Sequence, residues 1–138
     1  MFFDNVGGRK VMKQNIVFVY GTLMQDRANH NSYLSDGQFI DKAVLHGYAL
    51  YDLGSYPGIV LDSRDSVVGE IYSIDPHVLA RLDVLEGEGV LYLRKKVIVA
   101  QNTGERIKAW AYIWNGSISR RVKVETEQQP WKPENAKI

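Results

Sequence analysis

One segment of this chain, residues 75–87, carries signals for both the start and the end of a helix. The other apolar segments lack such signals, which limits the number of helices in the fold. Asp75 is suited to the helix N-cap, and Pro76 to the first turn, where its missing N–H group costs no hydrogen bond. Gly87 is a natural stop at the C-terminal end. The apolar residues between these signals recur at helical spacing: Val78, Leu79, Leu82 and Leu85. The sequence therefore predicts one well-defined helix, and the other apolar segments follow a different pattern.

Those other segments are rich in β-branched and aromatic residues and are bounded by turn signals, which is typical of strands. The predicted strands are residues 16–20, 39–51, 59–61, 67–74, 92–100 and 107–114. We expect a bulge or bend at Gly47, connections at 55–58 and 63–66, a hairpin turn at 102–105 and a short helix over 26–34. This order of elements predicts an α+β fold with a strongly curved or closed mixed sheet and few helices.

The length and composition indicate a small globular protein. A chain of 138 residues buries enough surface to fold without disulfides or metals, and we expect a single domain. Residues 1–14 are interpreted as a polar lead-in, and residues 115–138 as an irregular tail anchored by Trp131. A net charge of +1 argues against nucleic-acid binding. The absence of cysteine, and of any apolar run long enough for a signal peptide or a membrane span, predicts a cytoplasmic protein that does not bind membranes.

Two short segments carry the residues best suited to chemistry. The first is the turn Tyr20-Gly21-Thr22-Leu23, which directly follows a predicted buried strand. At such a bend, consecutive backbone N–H groups lose their strand partners and form a concavity suited to a carboxylate or phosphate. The second is Glu86, at the end of the predicted helix, where the dipole and burial both raise a carboxyl pKa and favour a proton carrier. Taken alone, each segment is more often an ordinary turn or a solvated glutamate.

Together with two further segments, they form an ordered set of motifs. The set comprises Tyr20-Gly21-Thr22-Leu23, Ser55-Tyr56-Pro57-Gly58, Leu82-Asp83-Val84-Leu85-Glu86-Gly87 and Tyr92-Leu93-Arg94. This set resembles the γ-glutamylcyclotransferase-like (AIG2-like) family, which includes short bacterial members and γ-glutamylamine cyclotransferases. The resemblance covers residues 16 to about 114. It implies a small mixed β-barrel-like sheet with a few flanking helices.

The resemblance also implies a reaction and roles for individual residues. The substrate is expected to be a γ-glutamyl amine, amino acid or peptide, and the products 5-oxoproline and the released amine. Glu86 is implied to be the general acid/base, and Tyr20, Gly21, Thr22 and Leu23 to bind the α-amino acid end of the substrate. The chemistry suits these residues, because the substrate holds its own amine nucleophile and carbonyl electrophile, and one carboxylate can carry the proton between them. Neither a metal nor an organic cofactor is required.

Several assignments stay open at this stage. Glu88 lies two residues from Glu86 and competes with it, whereas Asp83 is expected to make a local cap or salt bridge. Tyr56, Tyr92 and Tyr112 are candidate pocket walls, although each is also consistent with a structural role. The three histidines show no metal-ligand spacing and are interpreted as surface or loop residues. The alternative function is a non-catalytic binding protein for a small carboxylate metabolite. The sequence indicates neither the leaving amine nor the oligomeric state.

Overall fold

The structure is a computed structural model that describes residues 3–6, 9–12 and 14–133. Its strands are β1 (Phe3–Val6), β2 (Arg9–Met12), β3 (Asn15–Val19), β4 (Gln38–Asp52), β5 (Pro57–Ile74), β6 (Tyr92–Gln101), β7 (Arg106–Trp114) and β8 (Val122–Val124). Its helices are α1 (His30–Tyr33), α2 (Pro76–Glu86) and a 3₁₀ turn at Thr126–Gln128.

Five strands form a closed barrel. The order of hydrogen-bonded neighbours is β5-β3-β7-β6-β4, and β4 pairs with β5 to close the ring. β3 and β7 run parallel, and the other pairs in the ring are antiparallel, so the sheet is mixed. β8 adds to the far end of β4, beyond the point where β6 pairs with it. The predicted α+β fold with a small mixed barrel-like sheet is confirmed.

The two longest strands of the barrel bend together at an irregular pairing. Gly47 of β4 has a φ of +91°, and the register between β4 and β5 shifts there, which confirms the predicted bulge. On β5 the residues opposite this bulge are 62–65, which overlap the connection predicted at 63–66. That prediction is wrong, because β5 runs without interruption from Pro57 to Ile74. The polar residues of this stretch mark a bend within one strand and not the end of a strand.

The two helices differ in how closely they follow the prediction. α2 begins after Asp75, whose carboxylate accepts a hydrogen bond from the Val78 N–H at 2.9 Å, and ends at Gly87 in the left-handed conformation. This helix is confirmed. The helix predicted over 26–34 is reduced to the four residues of α1. Asp26 has a φ of +65°, which no right-handed helix contains, so the first part of that segment forms turns.

The terminal segments contain more regular structure than expected. β1 and β2 pair as an antiparallel hairpin within the predicted lead-in. The predicted irregular tail contains β8 and the 3₁₀ turn, and its Trp131 is only 2% exposed, which confirms the expected anchor. Residues 1–2, 7–8 and 13 of the lead-in and 134–138 of the tail lie outside the described residues.

Candidate active site

Several chain segments meet at one end of the barrel and enclose a cavity. Glu70 of β5 pairs with Val19, the last residue of β3. The part of β5 that precedes Glu70 therefore extends past the end of β3. The turn after β3, the start of β5 and the end of α2 thus come together beside β6 and β7. The cavity holds about 340 Å³ of empty space including its open mouth. It is lined by all eight predicted site residues, Tyr20, Gly21, Thr22, Leu23, Tyr56, Glu86, Tyr92 and Tyr112, and also by Phe18, Val19 and Pro57.

The turn after β3 is held in shape by hydrogen bonds to its carbonyl groups. The Gly21 carbonyl accepts a bond from the Met24 N–H at 3.1 Å, and the Thr22 carbonyl accepts one from the Asn29 N–H at 2.8 Å. The Asn29 side-chain amide also donates to the Thr22 hydroxyl at 2.9 Å. A Cβ atom on Gly21 would lie 2.7 Å from the Pro57 ring, so this position requires glycine. The turn is therefore packed directly against the start of β5.

The N–H groups of the same turn, unlike its carbonyl groups, do not take part in backbone hydrogen bonds within the described part of the chain. Among the described residues, the N–H groups of Gly21, Thr22 and Leu23 donate no hydrogen bond to another backbone group. Three consecutive free donors on one cavity provide a site for an anionic group of a ligand. The carbonyl groups fix the backbone, and the N–H groups remain available for binding.

Three of the four tyrosine hydroxyls of the cavity donate to protein acceptors. Tyr20 donates to the Tyr112 carbonyl at 2.6 Å, Tyr92 to the Pro57 carbonyl at 2.6 Å, and Tyr112 to Asp83 Oδ1 at 2.7 Å. Burial is the main cause that raises the pKa of all three phenols above the ordinary value of 10. These tyrosines stay neutral near pH 7, and they act as walls that tie the turn, β5 and α2 to the barrel.

Glu86 is the carboxylic acid that lines the cavity, and it has no such partner. It is the last residue of α2 and is half-buried. Among the described residues, its carboxylate has no hydrogen bond and no ion pair. Burial raises its pKa from 4.5 to about 7. Burial is thus the cause that the structure identifies, whereas the sequence also suggested the helix dipole.

The neighbouring acidic residues have structural partners. Asp83 Oδ1 lies 2.9 Å from Arg94 Nε, and the Arg94 guanidinium stacks on the Trp110 ring at 4.2 Å. Asp83 thus makes a salt bridge as predicted, but its partner lies on β6 and not within its own helix. Glu88 is exposed, does not line the cavity, and accepts a hydrogen bond from the Arg94 backbone N–H at 3.2 Å. Of the two competing glutamates, Glu86 is therefore the one on the cavity.

Two residues that hold the site in shape were missed by the sequence reasoning. Pro57 was treated as part of a turn signal, although its ring packs on Gly21 and its carbonyl holds Tyr92. Asn29, which holds the Thr22 backbone and hydroxyl, carried no signal, because nothing local distinguishes it from a surface polar residue. Both act through contacts between distant segments, which only the folded barrel creates.

The three histidines differ in their exposure. His46 and His77 are exposed, whereas His30 is half-buried, with its Nδ1 at 3.0 Å from the Leu23 carbonyl. Within the described residues, no cluster of three histidine or acidic side chains is arranged to hold a metal ion. In that same part of the chain, no helix combines the length and apolar character needed to cross a membrane.

Comparison with known proteins agrees with this geometry. A family model described as gamma-glutamyl cyclotransferase, AIG2-like, matches residues 17–133. The chain belongs to this family. The match includes every element of the barrel apart from the first two residues of β3, and it includes all lining residues of the cavity.

Three relatives illustrate the range of this gamma-glutamyl cyclotransferase family. A provisionally assigned gamma-glutamylcyclotransferase from Vibrio cholerae is 44% identical over 102 residues, which cover 73% of this chain and 83% of the relative. The gamma-L-glutamyl-butirosin B gamma-glutamyl cyclotransferase of Niallia circulans is 32% identical, and the aligned region covers 84% of this chain and 74% of that protein. The crystal structure of a mouse AIG2-like protein superposes with a TM-score of 0.68 at 24% identity, covering 74% and 78% of the two chains, and shows the shared fold. The family and its named members support gamma-glutamyl cyclotransferase activity as the general function.

Proposed function

We propose that this protein converts a γ-glutamyl compound into 5-oxoproline and a free amine, with Glu86 as the general acid/base. The observation that carries the proposal is the placement of two complementary groups on one cavity. Glu86 offers a carboxylate without a partner among the described residues, and the turn offers the free N–H groups of Gly21, Thr22 and Leu23. An α-amino acid carries the matching pair, an ammonium group and a carboxylate.

The substrate is bound through its α-amino acid end. Its α-carboxylate accepts hydrogen bonds from the N–H groups of the turn, and its α-ammonium group faces Glu86. The walls formed by Tyr20, Tyr92 and Tyr112 are uncharged and enclose the carbon chain of the glutamyl group. This placement folds the chain so that the amine approaches the γ-carbonyl carbon, and ring closure then loses little further conformational freedom.

Glu86 carries protons from the α-nitrogen to the leaving nitrogen in the proposed reaction. Its carboxylate accepts a proton from the α-ammonium group, and the free amine attacks the γ-carbonyl carbon to form the C–N bond of a five-membered ring. The protonated Glu86 then donates the proton to the nitrogen of the leaving amine as its bond to the γ-carbon breaks. The ring nitrogen keeps a second hydrogen and a positive charge after the attack, and it passes this proton to Glu86, which transfers it to the released amine. The products are the lactam 5-oxoproline and an ammonium ion, and Glu86 returns to its ionised form.

The pKa of Glu86 suits both halves of this cycle. A pKa of about 7 leaves comparable amounts of the ionised and protonated forms at neutral pH. An ordinary glutamate, with a pKa near 4.3, would be a weaker base towards an ammonium group and would be almost fully ionised. The buried position of Glu86 is therefore a functional property in this proposal.

Incubation of the wild-type protein with a panel of γ-glutamyl compounds tests the proposal. The panel holds γ-glutamyl amides of simple amines, γ-glutamyl amino acids and glutathione, and 5-oxoproline is measured by chromatography. We expect 5-oxoproline from at least one class, and a rise in the thermal midpoint with millimolar L-glutamate but not with glutaramide. A protein that binds glutamate and forms no 5-oxoproline from any member of the panel would be a carboxylate-binding protein instead.

A further inference from the structure

A second cavity opens beside the first. It holds about 780 Å³ of empty space including its mouth, more than twice the volume of the inner cavity. The two cavities share four lining residues: Thr22, Tyr56, Glu86 and Tyr92. Glu86 therefore lies at the junction between a small inner cavity and a larger outer one.

The outer cavity has a distinct chemical character. The residues that line it alone are Ala28, Asn29, Ser55, Leu85 and Leu91. Three are apolar and two are neutral polar, and among the described lining residues Glu86 is the charged one. At its mouth, Leu91 and Tyr56 are 47% and 41% exposed. Large apolar side chains exposed at the rim of a cavity are typical of contact surfaces for a ligand.

We infer that the outer cavity receives the leaving amine of the γ-glutamyl substrate, that it selects uncharged apolar leaving groups, and that Leu91 is a determinant of this specificity. The inference rests on the proposed function, because it assigns the inner cavity to the glutamyl group. With that group against the turn, its γ-carbonyl points away from the α-carboxylate. The leaving group then extends past Glu86 into the outer cavity, which adjoins the inner one at Thr22, Tyr56, Glu86 and Tyr92.

The lining discriminates against charged leaving groups for two reasons. A leaving group with a carboxylate, such as an amino acid, finds no lysine or arginine among the described lining residues and lies near Glu86, which repels it. A leaving group with a cation is attracted to Glu86, which stabilises the ionised carboxylate and lowers its pKa. The carboxyl group then holds its proton less well at the moment when the leaving nitrogen needs it.

Three substrates with the same γ-glutamyl group test the inference. γ-Glutamyl-3-methylbutylamide has a branched alkyl leaving group, γ-glutamyl-leucine has the same group with one added carboxylate, and γ-glutamyl-putrescine carries a terminal ammonium group. We expect kcat/KM for 5-oxoproline formation to be at least about 10-fold higher for the 3-methylbutylamide than for either of the others. Equal values, or a preference for a charged leaving group, would overturn the inference while the proposed function stands.

A charge introduced at the rim provides the matched test. Leu91→Lys places a cation beside the outer cavity, and the alkyl part of lysine can cover the same surface, so folding is retained. We expect kcat/KM to rise several-fold for γ-glutamyl-leucine and to fall for the 3-methylbutylamide. Val90→Lys adds the same charge one residue away, at a side chain that is 74% exposed and does not line either cavity, and it should change neither value.

The possible outcomes distinguish a failure of this inference from a failure of the proposed function. Identical effects of the two lysine variants would remove Leu91 from its assigned role. An unaltered substrate order in Leu91→Lys would do the same. If the wild type forms 5-oxoproline from none of the three substrates and from no other γ-glutamyl compound, the proposed function fails and this inference fails with it.

Discussion

Replacing Glu86 by glutamine should stabilise the protein, and the gain should depend on pH. Folding raises the Glu86 pKa from 4.5 to about 7, so the charged form is disfavoured in the folded state. A shift of that size corresponds to roughly 3 kcal/mol. Because Glu86 keeps some contact with solvent at the cavity mouth, we expect about 2 kcal/mol. Below pH 4.5 the wild type does not incur the cost of burying the charge, because Glu86 is protonated in both the folded and the unfolded state. Between pH 4.5 and 7 this cost grows, and above pH 7 it is complete.

Urea denaturation of the wild type and Glu86→Gln at pH 4.5 and pH 8 measures this difference. At pH 8 we expect the midpoint of the variant to lie about 1 M higher, since urea changes the free energy of unfolding by roughly 2 kcal/mol per M for a protein of this size. At pH 4.5 the two midpoints should nearly coincide. Glu88→Gln is the control, because its side chain is exposed and should give no pH-dependent gain. If the midpoint of Glu86→Gln differs from that of the wild type by the same amount at both pH values, the claim that burial raises the pKa of Glu86 is refuted.

Three other substitutions test the framework of the site. Gly21→Ala puts a Cβ atom 2.7 Å from the Pro57 ring, so we expect a loss of about 1–3 kcal/mol in urea denaturation and a fall in activity of about 10-fold or more; an unchanged protein would mean that the turn adapts freely. Trp131→Ala empties a site that is 2% exposed and should destabilise by about 3–5 kcal/mol, measured in the same way, whereas a loss below about 1 kcal/mol would contradict its role as anchor. Arg94→Ala removes a partly exposed ion pair with Asp83 and should cost about 1 kcal/mol, a cost that should diminish in 1 M salt.

The parts of the fold that the sequence could predict are those set by residues close together in the chain. The start and end of α2 are fixed by Asp75, Pro76 and Gly87, each of which acts within one helical turn. The hairpin of β6 and β7 follows from two alternating segments and a short turn between them. Local signals of this kind need no knowledge of the rest of the molecule, so both elements were predicted with nearly correct bounds.

The parts that could not be predicted depend on distant partners. The polar residues 62–65 resemble a loop, and they lie in β5 because the strand on both sides of them pairs with β4. The site shows the same division. Glu86 and the turn at Gly21 were found through short motifs, but Pro57 and Asn29 gain their roles from segments that the barrel brings together. Sequence spacing carries no information about such contacts.

The most direct test of the account is the rate of 5-oxoproline formation by Glu86→Gln compared with Glu88→Gln. Glutamine keeps the volume of glutamate but carries no proton between the two nitrogens. We predict that Glu86→Gln lowers the rate by roughly 10²-fold or more while L-glutamate still binds at the turn, and that Glu88→Gln stays within a few-fold of the wild type. Full activity in Glu86→Gln, or a loss confined to Glu88→Gln, would contradict the assignment of Glu86 as the general acid/base.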